Sequence, residues 1–240
     1  QQVIGYFRSK IEEGFLMFDQ PFLPLDPAAT QKFLADVAPL IAPVTLTEGK
    51  TSVQCLALPF YDDFKLYAVT DSTLPPPNTR YMLYKPGDAS LMNWTNEPIY
   101  AVNERAPIKI DRKTCLTYAR FFFHYVRGQL GRFIIVEKPE EVVWLANANA
   151  EEKAEVNKRI MPVTYKGIGR DNLITLTASV VFKNALFKTD IKIAPFEMDV
   201  FDPELNAPEH FTIGQMKLTN EDLLLEDLNV PIDPPPGEFG

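Results

Sequence analysis

Histidine and cysteine are scarce in this sequence. The 240 residues include only two of each, namely His124, His210, Cys55 and Cys115. Neither pair has the His-x-x-x-His or Cys-x-x-Cys spacing that holds zinc, and two cysteines do not make a disulfide framework. We therefore expect two reduced thiols in the core, and we predict neither a metal centre nor a cofactor.

Common signatures of catalysis and of membrane insertion are also absent. The chain has no Gly-x-Ser-x-Gly elbow and no Gly-x-x-x-x-Gly-Lys phosphate loop. No run approaches the roughly 18 apolar residues that a spanning helix needs, so we predict no membrane span. Whether the protein is an enzyme stays open at this point. We expect a cytoplasmic protein. Since the chain begins with Gln1 rather than Met, we leave a periplasmic or secreted location open.

Aromatic residues and proline are plentiful. There are 17 Phe, 9 Tyr and 21 Pro, while apolar residues make up 46% and charged residues 23% of the chain. These values are typical of a soluble globular protein, and the aromatic content indicates a core or cleft built largely from rings. We predict a single domain over residues 1–230, with any subdivision near 146–170. A loose, Pro-rich tail follows at 231–240.

The hydrophobic patterns predict helices in groups and strands in runs. Asp26-Pro27 is typical of a helix start, and the Thr219–Asp222 segment resembles a capping box before a leucine-rich helix. Strand patterns occur at 53–69 and at 173–193. Because helices and strands do not alternate strictly, we predict an α+β fold with mainly antiparallel sheets and a few flanking helices around a largely buried central helix.

That central helix is predicted over Arg112 to Arg127. Apolar and aromatic side chains occupy most of its directions, and Arg120, His124 and Arg127 follow at helical spacing on one face. Buried cations need partners. The partners could be carboxylates from the acidic end of the chain or an anionic ligand, or the face could be solvated. We name Arg120, His124 and Arg127 as candidate ligand-binding residues.

Charge is unevenly distributed along the chain. The net charge is −8, yet Glu197 to Gly240 holds eleven acidic residues against one basic residue, Lys217. Arg105 to Ile135 carries seven basic residues against Asp111 alone. The overall pI near 4.9 opposes the electrostatic steering that nucleic-acid binding uses, so we predict no nucleic-acid partner.

One stretch resembles part of a known group of proteins. The segment Thr117–Glu137 contains a Tyr, Phe-Phe, Val, Gly, Gly, Phe, Ile-Val-Glu pattern. In this it is similar to a segment of uncharacterised bacterial proteins, and Ala178–Ile193 resembles a later segment of those same proteins. The resemblance implies a bacterial origin and no known activity, so it assigns no functional residue.

The sequence leaves three functional hypotheses. The first is a non-catalytic binding or interaction module of a bacterial cell, whose partner is a protein or a small anionic ligand. The second is an enzyme with an uncommon active site, in which Arg120, His124 and Arg127 hold an anionic substrate. The third is a structural component of an envelope or secretion assembly.

Overall fold

The computed structural model describes residues 21–40, 49–73, 75, 77–128, 130–202 and 206–232. Within them the predicted α+β class with mainly antiparallel sheets is confirmed. None of the helices in this part of the chain combines the length and the apolar character that crossing a bilayer requires.

The described residues fall into two compact units. One is drawn from Gln1–Asn93 with Glu97–Ile108, and the other from Trp94–Asn96 with Lys109–Gly240. The subdivision predicted near 146–170 falls inside the second unit. Most of the predicted tail, 231–240, lies outside the described residues, and the number of domains stays a prediction.

The first unit is a five-stranded antiparallel sheet with two helices. Its strands follow one another in sequence order, as expected for hairpin-connected neighbours. The elements are β1 (Leu23–Pro24), α1 (Pro27–Val37), β2 (Thr51–Ala57), β3 (Lys65–Asp71), β4 (Asn78–Lys85), β5 (Asp88–Leu91) and α2 (Glu97–Arg105).

Helix α1 begins as the sequence predicts. The Asp26 carboxylate accepts a hydrogen bond from the Ala29 backbone N–H at 2.8 Å, and Pro27 occupies the first turn. Phe33 and Val37 then pack on Val53 and Val69 of the sheet. Burial of these side chains holds the helix on the sheet.

The second unit contains a five-stranded antiparallel sheet and a separate hairpin. In the sheet the strand order is β12-β9-β8-β6, and β7 pairs with another part of β8. The elements are α3 (Cys115–Tyr125), β6 (Phe133–Ile135), α4 (Ala150–Asn157), β7 (Thr164–Ile168), β8 (Ile174–Phe182), β9 (Ala185–Ile193), β10 (Met198–Asp202), β11 (Ala207–Phe211) and β12 (Met216–Leu225).

Strands β8 and β9 form the long hairpin that the sequence predicts. Their ladder runs without interruption from Ile174 opposite Ile193 to Phe182 opposite Ala185. Alternation gives the sheet two different faces, because successive side chains point to opposite sides. One face buries Val181 and Leu186 in a cluster of aliphatic side chains. The opposite face carries an apolar groove.

Helix α3 is shorter than predicted. It begins at Cys115 because Asp111 first closes a turn, in which the Asp111 carboxylate accepts from the Lys113 N–H at 2.7 Å. It ends at Tyr125, and Val126 is already extended. Seven of its eleven residues are buried. That the helix is central to the fold stays a prediction.

Two local predictions were wrong. The segment after Thr219 is strand rather than helix, because Leu218 and Leu223 lie opposite Ile191 and Phe187 in the ladder with β9. The apolar run Ile99 to Val102 predicts a short strand, but the segment is part of helix α2, which Glu97 and Pro98 begin. In the first case a non-local strand pairing overrides the local capping pattern.

Candidate functional site

Arg120, the first predicted ligand-binding residue, is engaged in an internal ion pair. Its Nε and Nη2 donate to the two carboxylate oxygens of Glu137 at 2.6 and 2.9 Å. Glu137 Oε1 also accepts from the Val163 N–H at 2.9 Å. This paired geometry ties helix α3 to the segment after β6. The carboxylate comes from Glu137 rather than from the acidic end of the chain.

His124 lies beside a second arginine that the sequence did not single out. An Arg132 Nη donates to the His124 carbonyl oxygen at 3.1 Å and lies 3.4 Å from the imidazole Nδ1. Burial lowers the pKa of His124 well below its usual value, and the Arg132 and Arg127 guanidinium groups lower it further. The imidazole is therefore neutral at pH 7 and contributes no positive charge.

Arg127 lies beyond the end of helix α3, so helical spacing does not describe its position. Its guanidinium carbon lies 4.9 Å from the centre of the Trp94 ring, and its backbone N–H donates to the Trp94 carbonyl at 2.7 Å. Arg127 Nε is buried without a hydrogen-bond partner among the described residues. Trp94 itself has a φ of 68°, which a bulky residue rarely adopts.

The predicted stripe therefore separates into two environments. Arg120 is neutralised by Glu137, whereas Arg127 and Arg132 are both close enough to His124 to lower its pKa. Arg127 and Arg132 thus place two guanidinium groups near one imidazole. We refer to Arg127, Arg132 and His124 as the arginine cluster.

A separate apolar groove of about 470 Å³ lies on the sheet face opposite the aliphatic cluster. It crosses the sheet from β12 to β6, and Gly128 and Leu130 of the loop after α3 also line it. Three phenylalanine rings provide much of its wall. Its lining residues are Gly128, Leu130, Phe133, Val180, Phe182, Phe187, Thr189, Leu218 and Glu221.

The groove has a rigid aromatic wall. The Phe133 and Phe182 rings stack with their centres 4.2 Å apart and their planes within 7°. Phe133 and Phe182 are register partners in the β6–β8 ladder, so the backbone pairing sets this arrangement. A Cβ on Gly128 would lie 3.3 Å from the Phe133 ring, so this glycine lets the loop approach the wall closely.

Exposed leucines flank the groove at both ends. Leu130 is 73% exposed on the loop side. Leu223 is 52% exposed and lies opposite Phe187 in the β9–β12 ladder, so it points to the same face as Phe187. Large apolar side chains left in solvent beside an apolar groove are typical of a binding surface.

The sequence did not identify this groove. Strands β8 and β9, which carry Phe182 and Phe187, were predicted, but the β12 segment after Thr219 was predicted as a helix. The alternation of side-chain direction along a strand predicts which residues share a face of the sheet. It does not predict which part of that face another element covers. No local signal distinguishes these phenylalanines from core residues.

The described side chains do not form a metal site. Within the part of the chain that the structure describes, no group of three or more His, Cys, Asp or Glu residues could hold a metal ion. Cys115, which begins helix α3, is buried, and burial raises its thiol pKa to about 11.

Comparison with known proteins found no relative of this chain. No protein-family model, no curated protein and no solved structure matches this chain.

Proposed function

We propose that this protein is a non-catalytic binding or interaction module that receives an apolar group of its partner in the groove on the second sheet. The observation that carries the proposal is the groove itself. Its volume of about 470 Å³ lies within the range of ligand pockets, and its described lining residues are mostly apolar, with Glu221 the one charged residue among them.

The composition of the wall supports binding of an apolar group. Phe133, Phe182 and Phe187 offer ring faces, and Thr189 adds one hydroxyl group. An aliphatic or aromatic group that enters this space leaves water and contacts rings already held in place by the sheet. Fully burying such a side chain contributes about 1.5–3 kcal/mol, so the groove can anchor a partner.

A fluorescence titration with anilinonaphthalene sulfonate as the apolar probe tests the proposal. We expect saturable binding to the folded protein and about tenfold weaker binding to Leu130→Asp, because a carboxylate at the rim opposes burial of an apolar group. The matched control is Ile168→Asp, because Ile168 is 62% exposed and does not line the groove. Absence of saturable binding, or an equal loss in both variants, would overturn the proposal.

The arginine cluster supports a second candidate function, in which the protein holds an anionic ligand or substrate. The specific observation is Arg127, whose buried Nε lacks a hydrogen-bond partner among the described residues while its guanidinium group stacks on Trp94. The unusual φ of Trp94 adds support, because backbone strain concentrates at functional sites.

A thermal-shift experiment with inorganic phosphate and sulfate tests this second candidate. An anion at about 100 times its Kd should add about 2.7 kcal/mol to the free energy of unfolding and raise the melting temperature. We expect Arg127→Ala to abolish that shift and Arg120→Ala to retain it, since Glu137 already neutralises Arg120. The candidate fails if neither anion raises the melting temperature, or if both variants respond like the original protein.

A further inference from the structure

Strand β12 lies at one end of its sheet. Among the described strands it pairs only with β9. It is ten residues long, and residues 220–223 are exposed. An exposed edge presents unpaired backbone N–H and C=O groups, which can hydrogen-bond to an added strand.

The edge and the groove meet on the same face of the sheet. Leu218 and Glu221 belong to β12 and also line the groove. Leu223 lies opposite Phe187, one of the groove phenylalanines, and is left half exposed. A strand added to β12 would direct alternate side chains to this face, at the roughly 4.5–5.5 Å spacing of cross-strand neighbours.

We propose that the partner is a protein with an extended peptide segment, which adds as a strand to β12 and presents a large apolar side chain to the groove, flanked by Lys or Arg. This inference rests on the proposed function and names its partner class. Backbone hydrogen bonds would provide much of the affinity, and the groove would select the apolar side chain.

Charge favours a basic segment over a second copy of this chain. Exposed carboxylates lie along and just beyond the edge, at Glu221, Asp222, Glu226 and Asp227. Two copies of β12 paired with each other would bring these groups together, and like charges across strands are destabilising. Lys or Arg residues that flank the apolar side chain would instead complement them.

The backbone of β12 also disfavours self-pairing. The register with β9 shifts between Thr219 and Asp222, and Asn220 there has a φ of 53°. Such a bulge twists the strand locally, and twisted, charged edges resist pairing with copies of themselves. A short separate peptide can follow this twist more easily than an identical edge fixed in another sheet.

Three synthetic heptapeptides test the inference by fluorescence anisotropy. The first is Lys-Thr-Val-Phe-Val-Thr-Lys, the second replaces both Lys with Glu, and the third is the first with alternate backbone nitrogens methylated. We expect saturable binding of the first peptide only. With Glu221→Lys/Asp222→Lys, its binding should weaken roughly tenfold and depend less on salt, because two charges on the edge strand are reversed.

The matched control is Glu104→Lys/Glu151→Lys, which reverses two exposed charges outside β12 and should leave binding unchanged. Equal binding of the methylated peptide would overturn strand addition, and equal binding of the acidic peptide would overturn the charge preference.

If no peptide binds while the apolar probe still binds, the partner class is wrong and the groove function stands. If neither binds, both proposals fail. A concentration-dependent dimer in size-exclusion chromatography that Leu223→Asp abolishes would make a second copy the occupant and would also overturn the inference.

Discussion

Arg120, His124 and Arg127 were predicted as one ligand-binding stripe, but their side chains have different electrostatic environments. Arg120 is balanced by the Glu137 carboxylate. His124 is held neutral by burial and by two neighbouring guanidinium groups. Arg127 lies over the Trp94 ring. The three residues therefore do not form one cationic stripe.

The neutral state of His124 predicts a pH dependence of stability. Its pKa in the fold lies below its unfolded value of about 6.5, so the unfolded chain binds the proton more readily. The stabilising contribution is complete above about pH 6.5 and is lost as the pH falls towards the lower pKa of the folded state. We expect His124→Gln to flatten the fall in melting temperature between about pH 6.5 and 5.

The matched control for this prediction is His210→Gln. His210 is exposed, and a hydrogen bond with Asp199 raises its pKa, so its contribution has the opposite sign. It is present at low pH and is lost as the pH rises through the raised value. His210→Gln should therefore not reduce the fall in melting temperature at acid pH. An unchanged acid-side slope in His124→Gln would contradict the prediction.

At the level of elements, one ion pair links helix α3 to the chain after β6. The Arg120 and Glu137 side chains are 28% and 13% exposed, so the pair is largely sheltered from water. Burial alone would raise the pKa of Glu137, but hydrogen bonds from Arg120 and the Val163 N–H outweigh it and lower the pKa. The carboxylate thus stays ionised while it holds two elements together.

Removing one partner of this pair should destabilise the protein. We expect Glu137→Gln to lower the free energy of unfolding by about 2 kcal/mol, because a sheltered guanidinium loses its counter-charge. Glu155→Gln is the control, because Glu155 pairs with Lys158 and Arg159 at an exposed site on and beside α4, where a smaller loss of stability is expected. Urea unfolding measures both. Equal losses of unfolding free energy for the two substitutions would show that burial does not strengthen the Arg120–Glu137 pair.

For the whole molecule, the acidic end of the sequence is partly neutralised within itself. Lys217, its one basic residue, lies 2.8 Å from Asp202 and 2.9 Å from Glu209. These contacts link β12 to the β10–β11 hairpin within the second unit. The carboxylates that stay exposed, among them Glu221 and Asp222, lie along the edge strand and make that edge acidic.

The sequence alone determined the features that depend on neighbouring residues. The Asp26 cap, the start of α1, the β8–β9 hairpin and the α+β class were predicted correctly, because capping bonds and alternation act over a few residues. Tertiary structure decided the rest. The leucines after Thr219 lie in a strand because their backbone pairs with β9, which also places Leu223 opposite Phe187. That strand, β12, forms one wall of the groove. Contacts between distant residues also gave Arg120 its partner, Glu137. They decided as well which part of a sheet face the described residues cover, and no local sequence pattern records that.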